Sequence, residues 1–157
     1  MDKKKTILLV DDTPDNLSFL SKVLQDDFKV KVANDGTKAL KAATSGVPPD
    51  LILLDIMMPE LDGYEVCRRL KADASTANIP IIFVTGKDSR MDEAKGLMLG
   101  AVDFVMKPID VTLVKTRIRV HLAQVDRMSK IINAFREQIS ELKSENARLR
   151  SELALKC

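Results

Sequence analysis

Thr6-Ile7-Leu8-Leu9-Val10-Asp11-Asp12 is an apolar, strand-forming run that stops abruptly at two carboxylates. Working outward, the same pattern recurs. Runs at Phe28–Ala33, Leu51–Leu54, Ile79–Val84 and Val102–Met106 are separated by helix-period stretches, roughly Pro14–Gln25, Gly36–Thr44, Gly63–Lys71 and Ser89–Leu99. Strand and helix in strict alternation predict a parallel sheet covered on both faces. The second run alternates Val30 and Val32 with Lys29 and Lys31, which suits an edge where one side meets water.

That placement agrees with a doubly wound α/β sheet of order 2-1-3-4-5, the flavodoxin-like (βα)5 arrangement. Its loops converge at the carboxyl ends of the strands. The residues ending the runs are Asp11 and Asp12, Asp55, Thr85 with Gly86, and Lys107 with Pro108. Three carboxylates, a hydroxyl and an ammonium are therefore expected in one pocket. Carboxylates so gathered repel one another unless protonated or bridged by a cation, and an all-oxygen set without His or Cys favours Mg²⁺. Such a set is equipped to receive a phosphoryl group. Asp55, alone on the central strand, is the expected nucleophile, with Asp11 and Asp12 holding metal and Lys107 neutralising phosphoryl oxygens. Taken singly, each residue could be a helix cap, a turn residue or a solvated charge. The pocket reading rests on their conjunction.

Composition narrows the alternatives. The 157 residues are 45% apolar and 31% charged, the balance of one globular core plus a tail, not of a disordered or disulfide-built chain. Lys and Arg number 25 against 23 Asp and Glu, with no clustered basic region to announce nucleic acid. No apolar run approaches the roughly 18 residues that span a bilayer. Cys67 and Cys157 form no close pair with each other or with His121, which suits a reducing, cytoplasmic setting.

Residues 1 to about 122 closely resemble the receiver domain of two-component response regulators. The resemblance is carried by Asp11-Asp12, the stretch Asp55-Ile56-Met57-Met58-Pro59-Glu60-Leu61-Asp62-Gly63, Thr85-Gly86, and Gly100 through Pro108. It implies that Asp55 accepts phosphate from a sensor histidine kinase or phosphotransfer protein. It also implies that Asp11, Asp12, Asp55 and the main-chain carbonyl of Met57 arrange Mg²⁺, that Lys107 contacts the phosphoryl group, and that Thr85 moves to bind it while Phe104 turns inward. Gly86 stands where Ala or Ser is usual in the family, leaving more room at the phosphate. Met57 offers no polar side chain to position water, so slow self-dephosphorylation is expected. Loss of a radiolabel within seconds in Mg²⁺ buffer would contradict that.

Beyond Pro108 there is no further Pro or Gly, and a helix is expected from near Asp110 toward Cys157. Ile118, Val125, Ile132, Ile139, Asn146 and Leu153 repeat every seven residues as a positions, with His121, Met128, Phe135, Leu142 and Leu149 at d. Branched residues at a with one Asn predict a parallel, two-stranded coiled coil in fixed register. Glu145 would face Arg150 of a partner helix, and Gln138 Lys143. His121 is expected to be a tolerated junction residue. The chain thus divides into a receiver, 1–122, and a dimerisation and signalling helix, 123–157.

The reading is a phosphoaccepting switch, not an enzyme acting on other molecules, whose output is an unidentified partner or a domain beyond this chain. A Mg²⁺-dependent phosphohydrolase would commonly carry an acid where Met57 stands, and a dinucleotide-binding domain would need glycines in the Asp11–Asn16 loop. An inert receiver serving a dimeric scaffold is the third alternative.

Overall fold

The computed structural model describes residues 3–86 and 90–156, and the side chains among these except those of residues 90–93. Five strands alternate with five helices: β1 Thr6–Val10, α1 Pro14–Leu24, β2 Lys29–Ala33, α2 Gly36–Thr44, β3 Leu51–Asp55, α3 Gly63–Ala72, β4 Ile81–Thr85, α4 Arg90–Met98, β5 Asp103–Met106 and α5 Val111–Leu155. The sheet is parallel throughout in the order β2-β1-β3-β4-β5, as the patterning predicts. Ser89 and Cys157, the outer limits expected for the fourth and fifth helices, lie outside the described residues.

Period-two alternation sorts the strands between two apolar layers. Leu8, Val10, Ile52, Leu54, Ile81 and Phe83 pack on one face with Ala39 and Ala43 of α2 and Val66, Cys67 and Leu70 of α3. Ile7, Leu9, Leu51, Leu53, Ile82, Val84 and Val105 pack on the other with Leu17, Leu20 and Leu24 of α1 and Val114, Ile118 and Leu122 of α5. Every residue of β1, β3 and β4 is buried, which is why those runs carry no polar alternation before their last positions. Burial of each such Leu or Ile contributes about 1.5–3 kcal/mol. Both edges are more open, with Lys29 and Val32 of β2 and Met106 of β5 exposed.

Five strand boundaries differ from the sequence expectation: Phe28 and Val102 fall just before β2 and β5, and the end of β3 and both ends of β4 also move. Ile79 precedes β4, its amide donating to the Thr76 carbonyl in a turn, because Pro80 has no N–H to continue a ladder. At the other end Asp55 and Thr85 lie inside the strands, paired in register with Val84 and Met106. Two of the candidate site residues are thus fixed by sheet geometry and not by loops.

The chain falls into two compact units, residues 1–122 and 123–157. In the second unit α5 exposes Val125, Met128, Ile132, Phe135, Ile139, Leu142, Leu149 and Leu153. Ile118 corrects the expected seam. It has 0% exposure in the core beneath α5, so it packs within the 1–122 unit and is not available to a partner helix. His121, expected at a d position, is bonded to Asp103 of β5. Among the described residues no helix is long and apolar enough to cross a membrane.

Candidate phosphoacceptor site

Asp11 follows β1, its amide donating to the Ala33 carbonyl at 3.2 Å, and Asp55 ends β3. Each is 3% exposed. Asp12, by contrast, is exposed. One carboxylate oxygen from each of the three lies within 4.8 Å of the others. Asp11 is held by two donors, the Thr13 amide at 2.9 Å and Asn16 Nδ2 at 3.1 Å. Lys107, immediately after β5, places Nζ 3.4 Å from Asp11 Oδ2 and 3.5 Å from Asp55 Oδ1. Its own amide donates to the Thr85 carbonyl at 2.8 Å, joining the ends of β4 and β5.

Burial, and then the Asp11 carboxylate, push the Asp55 pKa up to about 6 against the opposing pull of Lys107. At neutral pH most of the population is still the anion a nucleophile requires. One ammonium among three carboxylates, two of them buried, leaves two negative charges, which a divalent, oxygen-seeking cation fits in both charge and ligand type.

The remaining expected residues distribute around this centre. Thr85 is buried at the end of β4. Met57 lies just beyond β3, with its side chain 64% exposed, and lines one groove with Asp12, Met58 and Asp62. Phe104 pairs in register with Phe83, their rings 5.6 Å apart, and Phe83 meets Tyr64 edge-on at 5.5 Å. Gly96 of α4 makes room for this stack, since a Cβ there would fall 2.4 Å from Phe104 Cζ and 2.8 Å from Phe83 Cδ2. Phe104 is therefore already packed against the core in this structure.

Sequence reasoning misses Asn16 and Gly63. Asn16 has no signal beyond its place in the first turn of α1. In the sequence Gly63 is a helix start and the last residue of the stretch that begins at Asp55, with no spatial role assigned, yet a Cβ there would lie 2.3 Å from the Asp55 carbonyl oxygen.

The family model of the response regulator receiver domain matches residues 7–119. The chain belongs to that family. Among curated relatives of this receiver domain, a probable cyclic di-GMP phosphodiesterase of Vibrio cholerae is 48% identical over 117 residues, covering 74% of this chain and 26% of that protein. Response regulator PleD of Caulobacter vibrioides is 41% identical over 133 residues, covering 84% and 28%. The chain thus spans about a quarter of the length of these relatives. Among solved structures, the receiver domain resembles chemotaxis protein CheY4 of Vibrio cholerae, with a TM-score of 0.70 at 31% identity over 75% of this chain and 99% of that one. It also resembles the signal receiver domain of a histidine kinase from Syntrophus aciditrophicus, with a TM-score of 0.71 at 31% identity over 78% and 93%. Receiver domains are signalling switches of two-component systems, and membership implies phosphoryl acceptance.

Proposed function

We propose that Asp55 accepts a phosphoryl group from the phosphohistidine of a sensor histidine kinase or phosphotransfer protein, in a Mg²⁺-dependent reaction. We further propose that residues 123–157 pair with a second copy to pass the signal to an output domain or partner. The observation that carries the first part is the convergence of Lys107 on Asp11 and Asp55 at 3.4 and 3.5 Å beside the three-carboxylate cluster. An Asp55 oxygen attacks phosphorus while the phosphorus–nitrogen bond of the donor breaks, its electron pair leaving on the imidazole. Lys107 neutralises a phosphoryl oxygen, and Asn16 and the Thr13 amide keep Asp11 oriented. Asp11, Asp12, Asp55 and the Met57 carbonyl would hold Mg²⁺, which supplies charge neutralisation for the transferring phosphoryl group. Thr85 at the end of β4 and Phe104 on β5 are the proposed switch residues, being the buried hydroxyl and the aromatic ring of the two strands that Lys107 joins.

Incubation with Mg²⁺ and a small phosphodonor should add one phosphoryl mass to wild type and none to Asp55→Asn. Unmodified wild type would overturn the reading.

The dimer is supported by the exposed apolar stripe of α5 and by charges on its flanks. Arg136, Lys143 and Arg150 occupy one edge, and Gln138, Glu145 and Glu152 the other. In parallel helices Glu145 faces Arg150 with opposite sign and the neutral Gln138 faces Lys143, whereas antiparallel helices would set like edge against like. The match to PleD, at 84% of this chain, necessarily runs past Leu122 into this segment. Asn146→Val should leave phosphorylation intact but convert a single dimeric species into a mixture of oligomers on sedimentation. An unchanged distribution would refute the assigned register.

A further inference from the structure

A second polar cluster lies apart from the three carboxylates. Asp103 opens β5, and Arg117 and His121 stand one turn apart on α5. Arg117 Nη1 donates to both Asp103 oxygens at 2.8 Å, and His121 Nε2 lies 2.9 Å from Asp103 Oδ2. Asp103 Oδ1 also accepts the Phe104 amide at 2.8 Å. Burial works against the Asp103 anion, but the bonds from His121, Arg117 and the Phe104 amide outweigh it and hold this carboxyl below its ordinary value.

The position of this cluster on α5 gives it a consequence beyond stability. At 100° per residue, Val114, Ile118 and Leu122 form the buried stripe, Arg117 and His121 flank it on one side, and Lys115 and Arg119 on the other. The second flank is tied to Asp27, at 2.9 and 3.5 Å, in the turn before β2. The apolar stripe holds α5 on the sheet and sets its facing only coarsely, since a large rotation would expose it. Directional bonds on the two flanks fix the rotation, and only the Asp103 side is bonded to the strand that carries Phe104 and leads into Lys107.

We propose that Asp103 is a positioning residue that locks the rotational phase of α5 to β5, so that a change at the phosphoacceptor site turns the helix that enters the tail. The proposal rests on the paired-tail reading above. It assigns Asp103, Arg117 and His121 a transmitting role and leaves phosphoryl transfer to the Asp55 centre. His121 is the next-to-last residue of the 1–122 unit, so the tie acts at the point where α5 passes into the 123–157 segment.

The test measures helix phase by disulfide formation. In the full chain with Cys157→Ser, Val125→Cys and Met128→Cys are introduced separately. Cross-linking rates are compared with and without Mg²⁺ and beryllofluoride. Cys67 is fully buried, so the introduced thiols report. Beryllofluoride should change the ratio of the two rates by about fivefold, the lower range of ordinary coupling between sites. Asp103→Ala should abolish the change while phosphate uptake stays near wild type, and Asp27→Ala, which breaks the opposite flank, should retain it. Asp103→Asn, which keeps the side-chain shape, should also lose it, and serves if the Ala variant does not fold.

A purely structural role predicts equal behaviour of the Asp103 and Asp27 variants, and that result would overturn the proposal. So would a wild type that cross-links and takes up phosphate with no change in ratio, which leaves the proposed function standing. A wild type that never cross-links removes the paired tail, and the inference with it.

Discussion

Asp55→Asn is expected to raise the stability of the cation-free protein by about 2 kcal/mol at pH 7, while abolishing phosphoryl uptake. The ionised Asp55 is costly because burial and the Asp11 carboxylate both oppose its charge, lifting its pKa from 3.8 to about 6. A shift of that size corresponds to about 3 kcal/mol, from which the lost Lys107 contact must be subtracted. The sign follows from proton counts. Between the unfolded value near 4 and the folded value near 6, the native state retains a proton that the unfolded chain has released, so wild-type stability falls as pH rises through this window. Well below pH 4 Asp55 is neutral in both the native and the unfolded state, and variant and wild type should melt together. Above about pH 6 the gap should be complete, a difference of about 5 °C in melting temperature for a chain of this length. Equal gaps at pH 4 and pH 7 would show that ionisation of Asp55 is not the burden. Mg²⁺ should then close the gap by stabilising wild type, about 2.7 kcal/mol at a hundredfold excess over its dissociation constant, with far less effect on the variant.

Gly63→Ala is expected to cost about 3 kcal/mol or more and to slow phosphorylation by at least about tenfold. Gly63 begins α3 directly behind Asp55, with Asp62 capping the helix through the Glu65 amide at 2.9 Å. An added Cβ would stand 2.3 Å from the Asp55 carbonyl oxygen and 2.8 Å from the Ile56 Cα. Neither neighbour is a side chain that could swing aside. Either α3 retreats, breaking the 2.9 Å bond from the Gly63 amide to the Ile56 carbonyl, or the end of β3 is displaced and takes Asp55 with it. Gly86→Ala is the matched control for stability, since among the described residues a Cβ there meets nothing within 4 Å. Similar denaturation midpoints for the two variants would refute the close-approach argument.

The sheet order and the converging acidic site were legible in the sequence because both arise from local patterns. Strand ends carry the polar residues, and β2 declares its edge by alternation. What escaped depends on contacts between residues far apart in the chain. The need for Gly63 appears only when α3 is folded against β3, and that for Gly96 only when Phe83 and Phe104 have stacked beneath it. Ile118 illustrates a different limit. The seven-residue repeat and the face that α5 buries against its own sheet coincide there, and periodicity alone does not say which surface claims the side chain. His121 has the same ambiguity, resolved by Asp103 eighteen positions away.

The unequal edges of the tail bear on fidelity in a cell holding many similar switches. On the proposed parallel pairing, a related chain with the signs of its 136–152 flanks exchanged would be repelled over that stretch, whereas Glu145 and Arg150 of identical chains would attract. If the tail pairs as proposed, the lettering of the two flanks would serve as an address, keeping one circuit's protomers from mixing with another's without any change at the chemical centre.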